Sequence, residues 1–319
     1  IPLLLLSEVV HGNNFKVVLT GEGADEVFGG YNIFREAKVR RFWAKFPDAQ
    51  KRSDLIGRLY PYIFTNPRLK RTLQSFFAQG LDKTEDPIFS HMIRWENTSR
   101  IKAFFSNELI SAIGPYCGYE QVRQSLPKAY GQADNLAKAQ YLEMAIFLSS
   151  YLLSSQGDRM AMAHSVEIRL PYLDFRVMDF MGRVPAKWKI LGLNEKYILK
   201  KSFKDILPHE ITSRPKHPYR APIKQSLLNE RTAEYTNEAL SETALKRAGL
   251  FDVDKVTRLV RKLQALSSPS EMDSMALVGV LSSQLVHRQF VEEFPWKGVH
   301  SVCPDLIVDR RSAAPKCIK

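Results

Sequence analysis

Cysteine is scarce. The chain has three in 319 residues (Cys117, Cys303 and Cys317), an odd number with no metal-type spacing. That argues against a disulfide-stapled domain and a cysteine-rich zinc site, and makes a reducing, cytoplasmic location the expectation. No apolar run is long enough to span a membrane. The opening IPLLLLSEVV is too short, and it lacks the basic start of a signal peptide. It begins on Ile rather than Met and reads as a core helix cut from a longer chain. Internal repeats and low-complexity blocks are absent. Strand signals are few, and only Phe15 to Leu19 reads as a buried strand. Acids are outnumbered 34 to 46 by Lys and Arg, giving a net charge of +12.

What is present is an ordinary globular composition, 45% apolar and 25% charged, long enough for one or two domains. Much of the basic excess sits between Arg35 and Thr72, with eleven Lys/Arg against three acids and Trp43, Tyr60 and Tyr62 between them. Such a segment either binds nucleic acid or forms a solvated helix face beside a phosphate site or another subunit. No nucleic-acid motif accompanies it. Residues 1–11 read as a helix ending at Gly12-Asn13-Asn14. Tyr31 to Phe46 reads as a helix with Ile33, Phe34, Ala37 and Trp43 on one side. Gln132 to Ser155 reads as a long helix stopped by Gly157, Phe175 to Met181 as a short one, and Asn194 to Ile206 as another. Ser270 is placed to cap a helix from Glu271 to about Phe294, with Asp273 in its first turn. His287 falls inside that helix and reads as a satisfied core histidine, while His164 carries no assigned role. From Lys297 to Lys319 the pattern dissolves into a basic, weakly ordered tail.

The stretch LTGEGADEVFGGY, Leu19 to Tyr31, places four glycines and three carboxylates directly after the strand. Glycines permit a tight turn and close backbone approach. Acids beside a phosphate cradle make sense only with a metal ion between them. From the loop alone, a capped, solvated turn before a helix stays equally open.

GEGADEVFGGY resembles the signature loop of the asparagine synthetase family. Two further blocks are similar to that family in the same order: DRMAMAHSVEIRLPYLD, Asp158 to Asp174, and GLNEKYILKKSFKDILPHEITSRPKHPYRAPI. The resemblance covers roughly Ile1 to Glu293. It implies a predominantly helical part of an α/β, ATP-pyrophosphatase parallel-sheet domain over residues 1–296, the other strands lying upstream. It implies ATP and Mg²⁺ as cofactors and ATP-dependent conversion of aspartate to asparagine through an acyl-adenylate. Ammonia would come from a glutaminase domain missing from this chain, and a homodimer is a family expectation. Asp25 is implied as the Mg²⁺–pyrophosphate ligand, with Gly21 and Gly23 bending the backbone around the nucleotide. Glu22 takes the position near the acyl-adenylate, where a carboxylate orients or deprotonates ammonia. Lys196 and Lys216, twenty positions apart, match the spacing of the family's two phosphate-contacting lysines, with Lys196 opening a helix. Glu167 and Arg169 share one face of an extended segment and form either a buried ion pair that positions the loop or a substrate contact.

Two parts of the family pattern are missing: the Ser-Gly-Gly-x-Asp-Ser pyrophosphate loop and the amino-terminal glutaminase with its nucleophilic Cys. Thr20 also stands where Ser is common. The piece alone is therefore expected to be inactive, and the acid it amidates stays open between aspartate and a peptide or specialised-metabolite carboxylate. A non-catalytic helical interaction module is the reading from a different class.

Overall fold

Helices and one short parallel sheet make up the computed structural model, which describes residues 2–61, 67–214, 222–229, 231–266 and 269–294. The tail from residue 297 and Lys216 lie outside these. The residues gather into two compact units, one of 1–102 with 113–221, the other of 103–112 with 222–319.

In the first unit, the opening apolar run forms helix α1 (Pro2–Gly12), and Asn14 turns left-handed at φ 63° just beyond it. Ser7 fastens α1 to the Arg159–Met162 helix by donating its Oγ hydrogen to the Met160 carbonyl at 2.8 Å, and its Oγ also stands 2.8 Å from His164 Nδ1 just beyond that helix. Strand β1 (Val17–Leu19) pairs in parallel with β2 (Glu167–Arg169), Val18 opposite Ile168. This strand was expected to be buried, yet Leu19 is 72% exposed. Among the described residues the sheet has two strands, so β1 is covered along one edge only.

Helix α2 (Ala24–Phe28) follows the glycine turn, and α3 (Asn32–Ala44) follows α2. The stripe expected on α3 is its buried face. Val39 and Trp43 pack with Ile56, Tyr60 and Phe77, while Ile33 and Phe34 pack on Ala139 and Ile190. Each such large side chain contributes on the order of 1.5–3 kcal/mol.

The basic run along α3 is neither a solvated face nor a free nucleic-acid surface. Arg40 is 1% exposed, and its guanidinium donates to the carbonyls of Phe77, Phe89 and Gln79. Arg35 donates to Glu195, Arg41 to the Thr84 carbonyl, and Lys38 to the carbonyls of Ile190 and Gly192. Of these acceptors, the Gln79, Thr84 and Ile190 carbonyls stand just beyond the ends of helical segments, where carbonyls lack helical partners.

The long helix also departs from expectation. Asn135–Leu142 is α-helical, but Glu143–Asp158 winds as a π-helix and runs on through Gly157 into Arg159–Met162. Gly157 does not stop it. A Cβ there would meet the Leu152 carbonyl oxygen at 3.0 Å and Glu22 Oε2 at 3.6 Å, so the glycine serves close approach. Asn194 to Ile206 shortens to Tyr197–Ser202, because Leu191 and Asn194 bridge each other across a turn at Gly192 (φ 60°).

The second unit is built on the amphipathic Val253–Ala265 helix packed against Glu271–His287. Val256, Leu259 and Leu263 are buried, as are Ala276, Leu277 and Val280. Ser270 caps the second of these by accepting from the Asp273 amide at 3.1 Å, as expected. His287 is half-buried and sits 3.2 Å from Glu292.

Candidate active site

The glycine loop leaves the carboxyl end of β1, where the Thr20 amide donates to the Arg169 carbonyl (3.0 Å). Gly23 turns left-handed (φ 84°), and a Cβ on it would overlap the Leu173 side chain. Gly29, at φ 74°, ends α2, and the Gly30 amide donates to the Asp25 carbonyl at 2.7 Å. Gly30 matters for a different reason. A Cβ there would overlap both Asp25 Oδ1 and Lys196 Cε. Through that gap Lys196 Nζ reaches Asp25 Oδ1 at 2.9 Å, both side chains being largely buried. Lys196 itself is left-handed (φ 50°) and holds the cap position before Tyr197–Ser202 rather than its first turn. A lysine in that conformation is strained and persists only where its surroundings enforce it.

Beside this pair opens a cavity of about 790 Å³. Gly21, Ala24 and Tyr172 line it, together with Glu195, Lys196, Lys200, Arg214 and an apolar wall that includes Leu199 and Phe203. The size suits a nucleotide-sized ligand. Glu195 is 4% exposed and is held from two sides, by Arg35 at 2.9 Å and Lys200 at 3.0 Å.

Glu22 points toward the π-helix instead. Its Oε2 is buried without a hydrogen-bond partner among the described residues, as is Thr20 Oγ1. Burial pushes the Glu22 carboxyl above the ordinary value of 4.5, and the nearby charge of Asp158 pushes it further. Behind the loop, Glu26 is buried and accepts from the Tyr31 hydroxyl at 2.9 Å. Burial raises the pKa of both groups. Gln140 Nε2 donates to the Glu26 and Val27 carbonyls (2.5 and 2.9 Å), tying α2 to the Asn135–Leu142 helix.

Of the residues singled out in the sequence, Gly21 and Lys196 line the cavity, Asp25 joins it through Lys196, and Gly23 shapes the turn. Lys216 lies outside the described residues. Glu167 and Arg169 do pair, at 2.7 Å, but each side chain is 60% exposed, so the buried-pair reading is corrected. Neither lines the cavity, because the β2 face that carries them is uncovered among the described residues. Sequence reasoning missed Asp158, Glu195 and Arg214. Glu195 and Arg214 stand one and two positions from the two lysines, the one signal that pointed to them.

As a metal ligand, Asp25 fits by one test: the gap left by Gly30 exposes its buried Oδ1 to a cation, now the Lys196 ammonium. Among the described residues no three His, Cys, Asp or Glu side chains cluster as a ready ligand set. A single carboxylate with phosphate oxygens and water is a normal set for Mg²⁺.

A glycine-bent, acidic loop at the carboxyl end of a parallel strand, opening on a cation-lined cavity, belongs to the α/β class in which ligands sit outside strand ends. The sequence matches the family described as asparagine synthase over residues 1–288, and the chain belongs to that family. A Mycobacterium tuberculosis relative is 28% identical over 96% of this chain and 43% of its own length. Asparagine synthetase (glutamine-hydrolysing) 1 of Bacillus subtilis is 27% identical over 72% of this chain and 34% of its own. Amidase chry2 of Gibberella zeae is 28% identical over 69% and 34%. The chain thus spans less than half the length of these relatives. No helix among the described residues is long and apolar enough to cross a membrane.

Proposed function

We propose that this chain contributes part of an ATP-pyrophosphatase-type site that forms an amide from a carboxylate. The carboxylate is activated as an acyl-adenylate with release of pyrophosphate, and ammonia then displaces AMP. The observation that carries this reading is the Asp25–Lys196 pair, held together across Gly30 at the edge of the 790 Å³ cavity. In the reaction Asp25 would hold Mg²⁺, which neutralises the β- and γ-phosphate charge when bound. Lys196, released from Asp25, turns its ammonium to the phosphates. Lys216 supplies a second cation where charge builds as pyrophosphate leaves. Glu22, its Oε2 enclosed near Asp158 without a hydrogen-bond partner among the described residues, orients the incoming nitrogen and accepts its proton. Gly21 and Gly23 keep the backbone close to the nucleotide.

Aspartate is the proposed acceptor and glutamine-derived ammonia the nitrogen source, as the name of the Bacillus subtilis relative suggests. The similarity to amidase chry2 favours a second reading, in which the same chemistry amidates a peptide or specialised-metabolite acid. ATP–pyrophosphate exchange by the full-length gene product tests both. Exchange stimulated by aspartate supports the first, and exchange stimulated only by another acid supports the second. Asp25→Asn and Lys216→Ala are each expected to lower exchange by at least about a hundredfold, comparable to losing one transition-state charge contact. Unchanged exchange in both variants removes the site assignment.

A further inference from the structure

Among the described residues four cations stand at or behind the cavity, and two acids answer them. Lys196 is matched by Asp25, while Lys200 and Arg35 share Glu195. Arg214 lines the same cavity, is exposed to it, and has no carboxylate within ion-pair reach among the described residues. Among the described residues the site therefore carries a local excess of positive charge, and Arg214 is the part of it that they do not neutralise. The apolar wall at Leu199, Phe203, Ile206 and Leu207 lowers the local dielectric, which strengthens any charge contact made there.

These observations lead us to propose that Arg214 is a phosphate ligand of this cavity, gripping the terminal phosphates of the nucleotide and the pyrophosphate released from them. The proposal rests on the reading of the site given above and adds a residue to it. An anion arriving at Lys196 or Lys200 must compete with an existing carboxylate. At Arg214 it meets a charge with no ion pair to break among the described residues. A guanidinium also presents a planar fork that matches two phosphate oxygens at once, which an ammonium cannot do.

The test is calorimetric titration of magnesium pyrophosphate, and separately of MgATP, into the full-length gene product. Wild type is compared with Arg214→Ala, Arg214→Lys and, as control, Arg183→Ala, whose side chain pairs with Asp179 away from the cavity. Arg214→Ala is expected to weaken pyrophosphate binding roughly tenfold or more, the scale of one charge-assisted contact. Arg214→Lys should recover part of that loss by restoring charge without the fork, and Arg183→Ala should match wild type. Equal pyrophosphate affinity in wild type and Arg214→Ala, with wild-type exchange intact, overturns the assignment and leaves the proposed function standing. A wild type that binds neither ligand overturns the proposed function itself. Should Arg214→Ala fail to fold, Arg214→Gln, which keeps the side chain's bulk, decides by the same titration.

Discussion

At the residue scale, the proposed site rests on one close approach that only glycine permits. Gly30 lets Lys196 reach Asp25, so Gly30→Ala must separate the pair or shift α2. Overpacking of this kind costs about 1–3 kcal/mol. The variant is expected to lose ATP–pyrophosphate exchange while keeping a cooperative thermal transition at lower temperature; wild-type exchange would show that the pair is incidental. Glu22 gives a prediction with a definite sign. As the proposed base, Glu22 must be ionised to accept a proton, and its pKa is raised by burial and then by Asp158. The acid limb of the rate profile should therefore lie above the ordinary glutamate value of 4.5. Asp158→Asn removes the neighbouring negative charge, makes ionised Glu22 less unfavourable, and should move that limb to lower pH. Burial persists in the variant, so the limb should stop short of 4.5. A limb that stays in place, or moves upward, would show that Asp158 does not act on Glu22.

At the scale of elements, α3 works as a tie as much as a wall. Arg40 crosses from α3 to the carbonyls of Phe77, Gln79 and Phe89, its guanidinium 4.2 Å from the Phe89 ring centre. Burial lowers its pKa to about 10, so it stays charged at neutral pH. Arg40→Ala would strand buried carbonyls at about 1–3 kcal/mol each. A total loss of roughly 3 kcal/mol or more in urea denaturation is expected, against less than about 0.5 kcal/mol for exposed Lys45→Ala. Periodicity revealed the α3 stripe, and the Ser-x-x-Asp pattern revealed the cap at Ser270, because both signals are local. The destination of Arg40 was not legible, since its partners are carbonyls 37 to 49 positions away. The π-helix was equally hidden. Its sequence reads as any apolar helix, and Gly157 reads as a stop until Glu22 is seen beside it. At the site, the loop and Lys196 could be read from the family resemblance. Their ion pair depends on Gly30 and on a left-handed lysine, which no spacing rule specifies.

For the molecule as a whole, a net charge of +12 invites a nucleic-acid partner, and the structure changes where that charge can act. Between Arg35 and Thr72, the side chains of Arg35, Lys38, Arg40 and Arg41 are held by protein oxygens, and Lys70 pairs with Asp54 at 2.9 Å. Arg52 donates to the Phe42 carbonyl at 2.7 Å and stacks on Phe42 and Phe46. Lys45, Lys51, Arg58 and Arg71 remain exposed in that stretch among the described residues. Non-specific nucleic-acid binding grows with the number of phosphates a protein can neutralise at once, and it falls steeply with salt. Charges already committed to carbonyls and carboxylates release few counterions. Filter binding of a single-stranded RNA at physiological salt is therefore expected to give no saturable binding below about 10 µM, within the range of non-specific association. A Lys45→Glu/Lys51→Glu double variant should leave both that result and ATP–pyrophosphate exchange unchanged. Tight, salt-sensitive RNA binding lost in the double variant would instead make the exposed remnant of this segment an interaction surface, and its internal ties a scaffold for presenting it.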